Sequence, residues 1–190
     1  MKEKSSGLGS IIYAEWLLPI QNYYASLRKN ECTYEVLSPI FIAILSVCLY
    51  YVHNKVELAL DKLSDILPTA VSILIGFTAM LITILLTSTG ENVEKLKSIK
   101  CNNKLNGNDI NLFQKLHIQL SHILFSEIIL ILIIFLYLFI SGLYENLFFA
   151  CIVLFFAVYL TLNILLSILR GVTNIYFSFY NTQKDKNIQD

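Results

Sequence analysis

Three long windows of the chain contain no charged residue: between Glu35 and Lys55, between Asp65 and Glu91, and between Glu145 and Arg170. A fourth, running from Leu120 to Ser141, holds a single charge, Glu127. A helix needs ~20 mostly apolar residues to cross ~30 Å of hydrocarbon. The hydrocarbon offers no water to backbone groups, so runs of this length must be helical. The pattern predicts an all-α, polytopic membrane protein with spans at about 36–52, 68–89, 120–141 and 147–169. Residues 1–35 are then an N-terminal segment, 36–170 a four-helix transmembrane domain with a polar loop at 90–119, and 171–190 a tail.

The polar segments refine this picture. Ile11 to Leu27 is rich in Ile, Leu, Tyr and Trp but carries Glu15, Pro19, Gln21 and Asn22. It reads as an amphipathic helix lying in the membrane interface rather than a span. Pro39 is expected in the first turn of span one, where its missing N–H is not needed. His53 to Leu67 is expected to be a short surface helix, with Glu57, Asp61 and Asp65 forming an acidic stripe at four-residue spacing. Span two is expected to begin at Pro68. In the loop, Val93, Leu96 and Ile99 suggest one short helix. Asn102, Asn103, Asn106, Gly107 and Asn108 mark a turn, and Asp109 caps a second helix bearing Ile110, Phe113, Leu116 and Leu120. The loop is therefore predicted to be a helical hairpin. Gly142 to Asn146 is a tight turn, so spans three and four are antiparallel neighbours. The last ten residues are polar and expected to lack order.

Lys and Arg distribution sets orientation. Lys2, Lys4, Arg28 and Lys29 precede span one, Lys95, Lys97, Lys100, Lys104 and Lys115 lie in the middle loop, and Arg170, Lys184 and Lys186 follow span four. The opposite side has only Lys55 and Lys62. Both termini and the middle loop are expected to face the cytoplasm.

Chemistry is sparse. Lys plus Arg and Asp plus Glu both number 14, which argues against direct nucleic-acid binding by bulk charge. No cleavable signal is expected in the first 35 residues. Cys48 and Cys151 lie in predicted spans, Cys32 and Cys101 on the cytoplasmic side, and no CxxC pair occurs, so neither disulfides nor a metal site is expected. His53, His117 and His122 read as solvated or interfacial. Without HExxH, a phosphate loop or paired intramembrane carboxylates, no catalytic residue, cofactor or enzyme activity is expected.

Three groups of residues are candidates for function. Ser72, Gly76, Ala79, Thr83 and Thr87 fall on one face of span two, a small-residue stripe suited to close helix packing within or between subunits. Glu127 needs a partner at its depth in the membrane, and an antiparallel arrangement suggests a polar layer with Thr161, Asn163 and Thr83. Lys95, Lys97, Lys100 and Phe113 on the middle loop are expected to dock a partner. Apolar residues there are expected to be too many for two short helices to bury.

The whole layout, with its tyrosine-rich N-terminal segment, four spans and basic middle loop, resembles the KwaA family, the small membrane subunits of the Kiwa bacterial anti-phage system. Within span two, Ser72-Ile-Leu-Ile-Gly76-Phe77-Thr78-Ala79 looks like that family's text. The resemblance implies a homotetrameric inner-membrane sensor and scaffold in antiviral defence, anchoring a cytoplasmic effector, KwaB. It assigns no single residue a role. The alternative from the residues alone is a pore-forming or membrane-depolarising effector, supported by Glu127 and the stripe on span two.

Overall fold

The computed structural model describes residues 17–87, 91–105, 107–141 and 146–186, without side chains for 91, 92, 102 and 177–186. Residues 11–16 of the predicted interfacial helix and the end of the tail lie outside these. The elements are α1 (Leu18–Ser26), α2 (Lys29–Cys32), a π-helical turn (Thr33–Leu37), α3 (Ser38–Val52), α4 (Val56–Thr87), α5 (Glu91–Ser98), β1 (Lys100–Leu105), β2 (Asn108–Asn111), α6 (Leu112–Ser141) and α7 (Leu147–Lys186). Four helices are long and apolar enough to cross a membrane: Lys29–Val52, Val56–Thr87, Leu112–Ser141 and Leu147–Tyr176. The all-α polytopic fold read from the hydropathy pattern is the fold observed.

The helices overrun their apolar windows. At 1.5 Å per residue, the 32 residues of α4 extend about 48 Å and the 40 of α7 about 60 Å, against ~30 Å of hydrocarbon. The segment expected as a connecting surface helix is the first part of α4, and Pro68 lies inside that helix rather than at its start. Only His53 to Lys55 joins α3 to α4, with Asn54 at φ 52°, the left-handed region that Asn tolerates best after Gly. The aromatic cluster after Arg170 and most of the tail continue α7 as far as Lys186.

The middle segment is not the helical hairpin that its turn cluster suggests. After α5 the chain forms an antiparallel β-hairpin in which Lys104 pairs with Asp109 and Leu105 with Asn108. Gly107 supplies the positive φ, 84°, that the turn needs. Helix α6 starts at Leu112, where Asn111 and Gln114 cap each other reciprocally: Gln114 N–H donates to Asn111 Oδ1 at 2.8 Å, and Asn111 N–H to Gln114 Oε1 at 3.0 Å. Asp109 is in a strand and caps nothing.

In the bundle α6 packs between α4 and α7, and α7 also holds α3. Two apolar cores fill the interior. One joins Val56, Leu60, Tyr137 and Leu154; the other joins Val71, Ile123, Ile134 and Ile164. The outer surface is apolar too, with Phe41, Ile73, Phe139 and Phe148 exposed, as expected where lipid is the solvent. A third cluster, Leu96, Leu112 and Leu116 with Leu85, Ile99, Cys101 and Phe113 against it, is the core of the middle segment. The apolar side chains expected to seek another surface are thus covered within the chain.

Candidate functional site

Helix α1 packs on α6 and β1, and Tyr23 is driven into the bundle to 1% exposure. Its ring stacks on His122 of α6 at 3.7 Å between centroids, with the Arg170 guanidinium 5.7 Å from the ring centre. His122 is buried at this stack rather than solvated or interfacial. The Tyr23 hydroxyl donates to Glu35 Oε2 and lies 2.9 Å from Ser167 Oγ. Burial, reinforced by the negative charge of Glu35, pushes the phenol above its ordinary pKa and keeps it a donor.

Glu35 reaches this position because of Pro39. In an unbroken α-helix the Glu35 carbonyl would accept from the N–H four residues on, and Pro39 has none; its ring also crowds that carbonyl. The helix widens into a π turn, with the Ser38 N–H donating to Thr33 C=O. The freed Glu35 carbonyl accepts instead from Asn163 Nδ2 of α7 at 2.8 Å, while Asn163 Oδ1 lies 3.0 Å from His122 Nε2. Pro39 is in the first turn of α3, as expected, and α2 and the π turn continue the helix back to Lys29.

The Glu35 carboxylate, fully buried, is paired with Arg170 Nε at 2.6 Å. One turn back, Glu31 gathers three cations: Lys115 Nζ at 2.8 Å, Arg28 Nη2 at 3.2 Å and Arg170 Nη1 at 3.3 Å. Asn103 of β1, 1% exposed, closes the cluster. Its amide donates to Glu31 Oε2 and to the Ser26 carbonyl, both at 2.8 Å, and it accepts from Lys115 at 3.1 Å. Gln119 of α6 donates to the Ser167 carbonyl. Two carboxylates, Lys115 and Arg170 leave this inner cluster electrically balanced, as buried charge requires.

The residues expected to form an intramembrane polar layer divide. Glu127 is fully buried and accepts from Thr78 Oγ1 at 3.1 Å, a partner not anticipated. Asn163 belongs to the Glu35 cluster. Thr161 and Thr83 bond back to the carbonyls of Ala157 and Ala79 on their own helices. Ser72, Gly76, Ala79, Thr83 and Thr87 all face outward, and nothing lies within 4 Å of a Cβ built on Gly76. That face takes no part in packing inside the chain. Of the expected docking residues, Lys97 sits over the Phe113 ring at 5.2 Å, and Lys97 and Lys100 are exposed.

All four cysteines are free, and among the described residues no group of three His, Cys, Asp or Glu could hold a metal. No family model, curated protein or solved structure matches the chain.

Proposed function

We propose that the chain is a membrane-embedded sensor and scaffold subunit of a bacterial antiviral defence complex, oligomeric in the inner membrane and anchoring a cytoplasmic effector at its lysine-rich end. One observation carries the mechanical part. A single cluster of ion pairs ties the extramembrane hairpin, through Asn103, to three of the four spanning helices, through Glu31, Lys115 and Arg170. Displacement of any of those helices is transmitted to the hairpin. The hairpin buries its own apolar side chains, so the surface it offers is basic, centred on Lys97 and Lys100. The antiviral setting rests on the resemblance to the KwaA family.

The test is recovery of the protein encoded beside this one, co-expressed with the tagged, membrane-inserted chain. Charge reversal at Lys95, Lys97 and Lys100 should weaken recovery and its salt sensitivity while leaving insertion intact, because exposed charges are screened over ~8–10 Å at physiological salt. Full recovery by the triple variant overturns the basic face as the dock. Gly76→Leu should break the oligomer in detergent if the outward stripe is the subunit contact. Ion flux from liposomes bearing the chain alone would transfer the reading to a pore.

A further inference from the structure

A cavity of about 300 Å³ lies between α4, α6 and α7. Leu116, Gln119 and Ile123 of α6, all buried, form its floor, and the exposed Phe77 of α4 and Val172 of α7 stand at its rims. No charged residue lines it, and its polar side chains are Thr78 and Gln119. The Thr78 hydroxyl is committed to Glu127. Gln119 is 2% exposed. Its Nε2 donates to the Ser167 carbonyl and packs on Gly171 of the same wall, where a Cβ would lie 3.4 Å away. The amide thus sits on the cavity wall with its donor end turned to α7, and Oε1 is left without a hydrogen-bond partner among the described residues. A buried acceptor in that state is costly unless something meets it. A water does not serve, because a buried water needs 2 to 4 polar partners and these walls are otherwise apolar.

We propose that this cavity holds one acyl chain of an uncharged membrane lipid, with a free hydroxyl of the lipid donating to Gln119 Oε1, as a diacylglycerol could. The placement matches an amphiphile. Gln119 stands at the edge of the apolar window that begins at Leu120, and Lys115 lies one turn before it. Ile123 is a turn further in, about 6 Å along α6. A lipid entering past the exposed rims therefore brings its glycerol to the level of Gln119 and its chain to the apolar end. The walls also select the headgroup: a phosphate or an ammonium would be desolvated there without a counter-charge, whereas a hydroxyl needs only the one acceptor. The site touches the ionic cluster through Ser167, whose carbonyl accepts from Gln119 and whose hydroxyl lies 2.9 Å from that of Tyr23.

Photoreactive lipid capture tests this on the full chain in nanodiscs of neutral phospholipid. The probe is a diacylglycerol carrying a diazirine in one acyl chain, and labelled residues are mapped by mass spectrometry. Labels should concentrate on α4 between Phe77 and Leu85 and on α7 between Ile168 and Ile175. Unlabelled diacylglycerol should suppress them severalfold, and the same lipid with its hydroxyl methylated should compete at least tenfold less well. Leu81→Trp, which fills the cavity from a half-buried position on α4, should abolish the focused labelling. Gln119→Met keeps the side-chain length without the acceptor and should make the two competitors equal. Labelling spread evenly over lipid-facing positions such as Phe139 and Phe148 overturns the proposal. So does equal competition by the two lipids in the unaltered protein. An absence of label at the cavity, as when a second copy of the chain covers it, overturns it as well.

Discussion

Glu31 with Glu35, and Glu57 with Asp61, are the same motif on paper: two acids four residues apart near the end of a spanning helix. In the folded protein they are opposites. Glu35 is fully buried and Glu31 nearly so, and Lys115 and Arg170 neutralise them from two other helices. Glu57 and Asp61 stay at the rim of a cavity without an ion pair among the described residues. Spacing fixes which face of a helix a pair of acids shares. What faces them is decided by the neighbouring helices, and that decides whether they are a structural joint or a solvated surface.

The comparison breaks most readily at Arg170. Arg170→Ala leaves Glu35 buried and unpaired, and removing one partner of a buried pair costs about 3–5 kcal/mol. Denaturant unfolding in detergent measures it. The double variant Glu35→Leu with Arg170→Leu should recover most of the loss, since an apolar pair of similar volume is often as stable; no recovery would place the value of Arg170 in its contact with Glu31. Next comes Asn163→Leu, which strips the Glu35 carbonyl and His122 of a partner, at about 1–3 kcal/mol for each unsatisfied group. Tyr23→Phe keeps the stack on His122 but removes one donor from Glu35, so about 1–3 kcal/mol is expected, at the lower end because Ser167 and Arg170 remain. Glu57→Gln and Asp61→Asn should change stability by less than about 0.5 kcal/mol, as exposed substitutions do. A large loss there would show that the two acid pairs are more alike than their surroundings suggest.

The four spans were legible because hydrocarbon thickness sets a minimum apolar length, and nothing in a small soluble core demands runs like those around Leu130 or Leu154. Helix ends were not legible, since Val56 to Leu67 and the residues after Arg170 are amphipathic and continue a helix outside the apolar zone. The ionic cluster escaped because Glu31, Lys115 and Arg170 lie at span margins, where a solvated charge is the ordinary expectation. Two signals were nevertheless present. Pro39 four residues after Glu35 announces a carbonyl without a donor in any helix that includes both. Asn106-Gly107 is a strong hairpin signal in the sequence, and Cys101, Asn103 and Leu105 alternate inward against exposed Lys100 and Lys104. A polar Asn among the inward positions hides that strand from a hydrophobicity pattern.

The π turn also acts as a phase setter. Each residue advances an α-helix by about 100°, so the extra residue held between Thr33 and Leu37 rotates everything before it by that angle relative to the span that follows. Glu31 meets Lys115 and Asn103 only with this offset in place. Deleting Tyr34 would restore regular winding and keep every charged side chain, yet swing Glu31 about a quarter-turn out of register. Coupling between hairpin and bundle thus depends on an exact residue count over one helical turn, a dependence that composition and charge do not record.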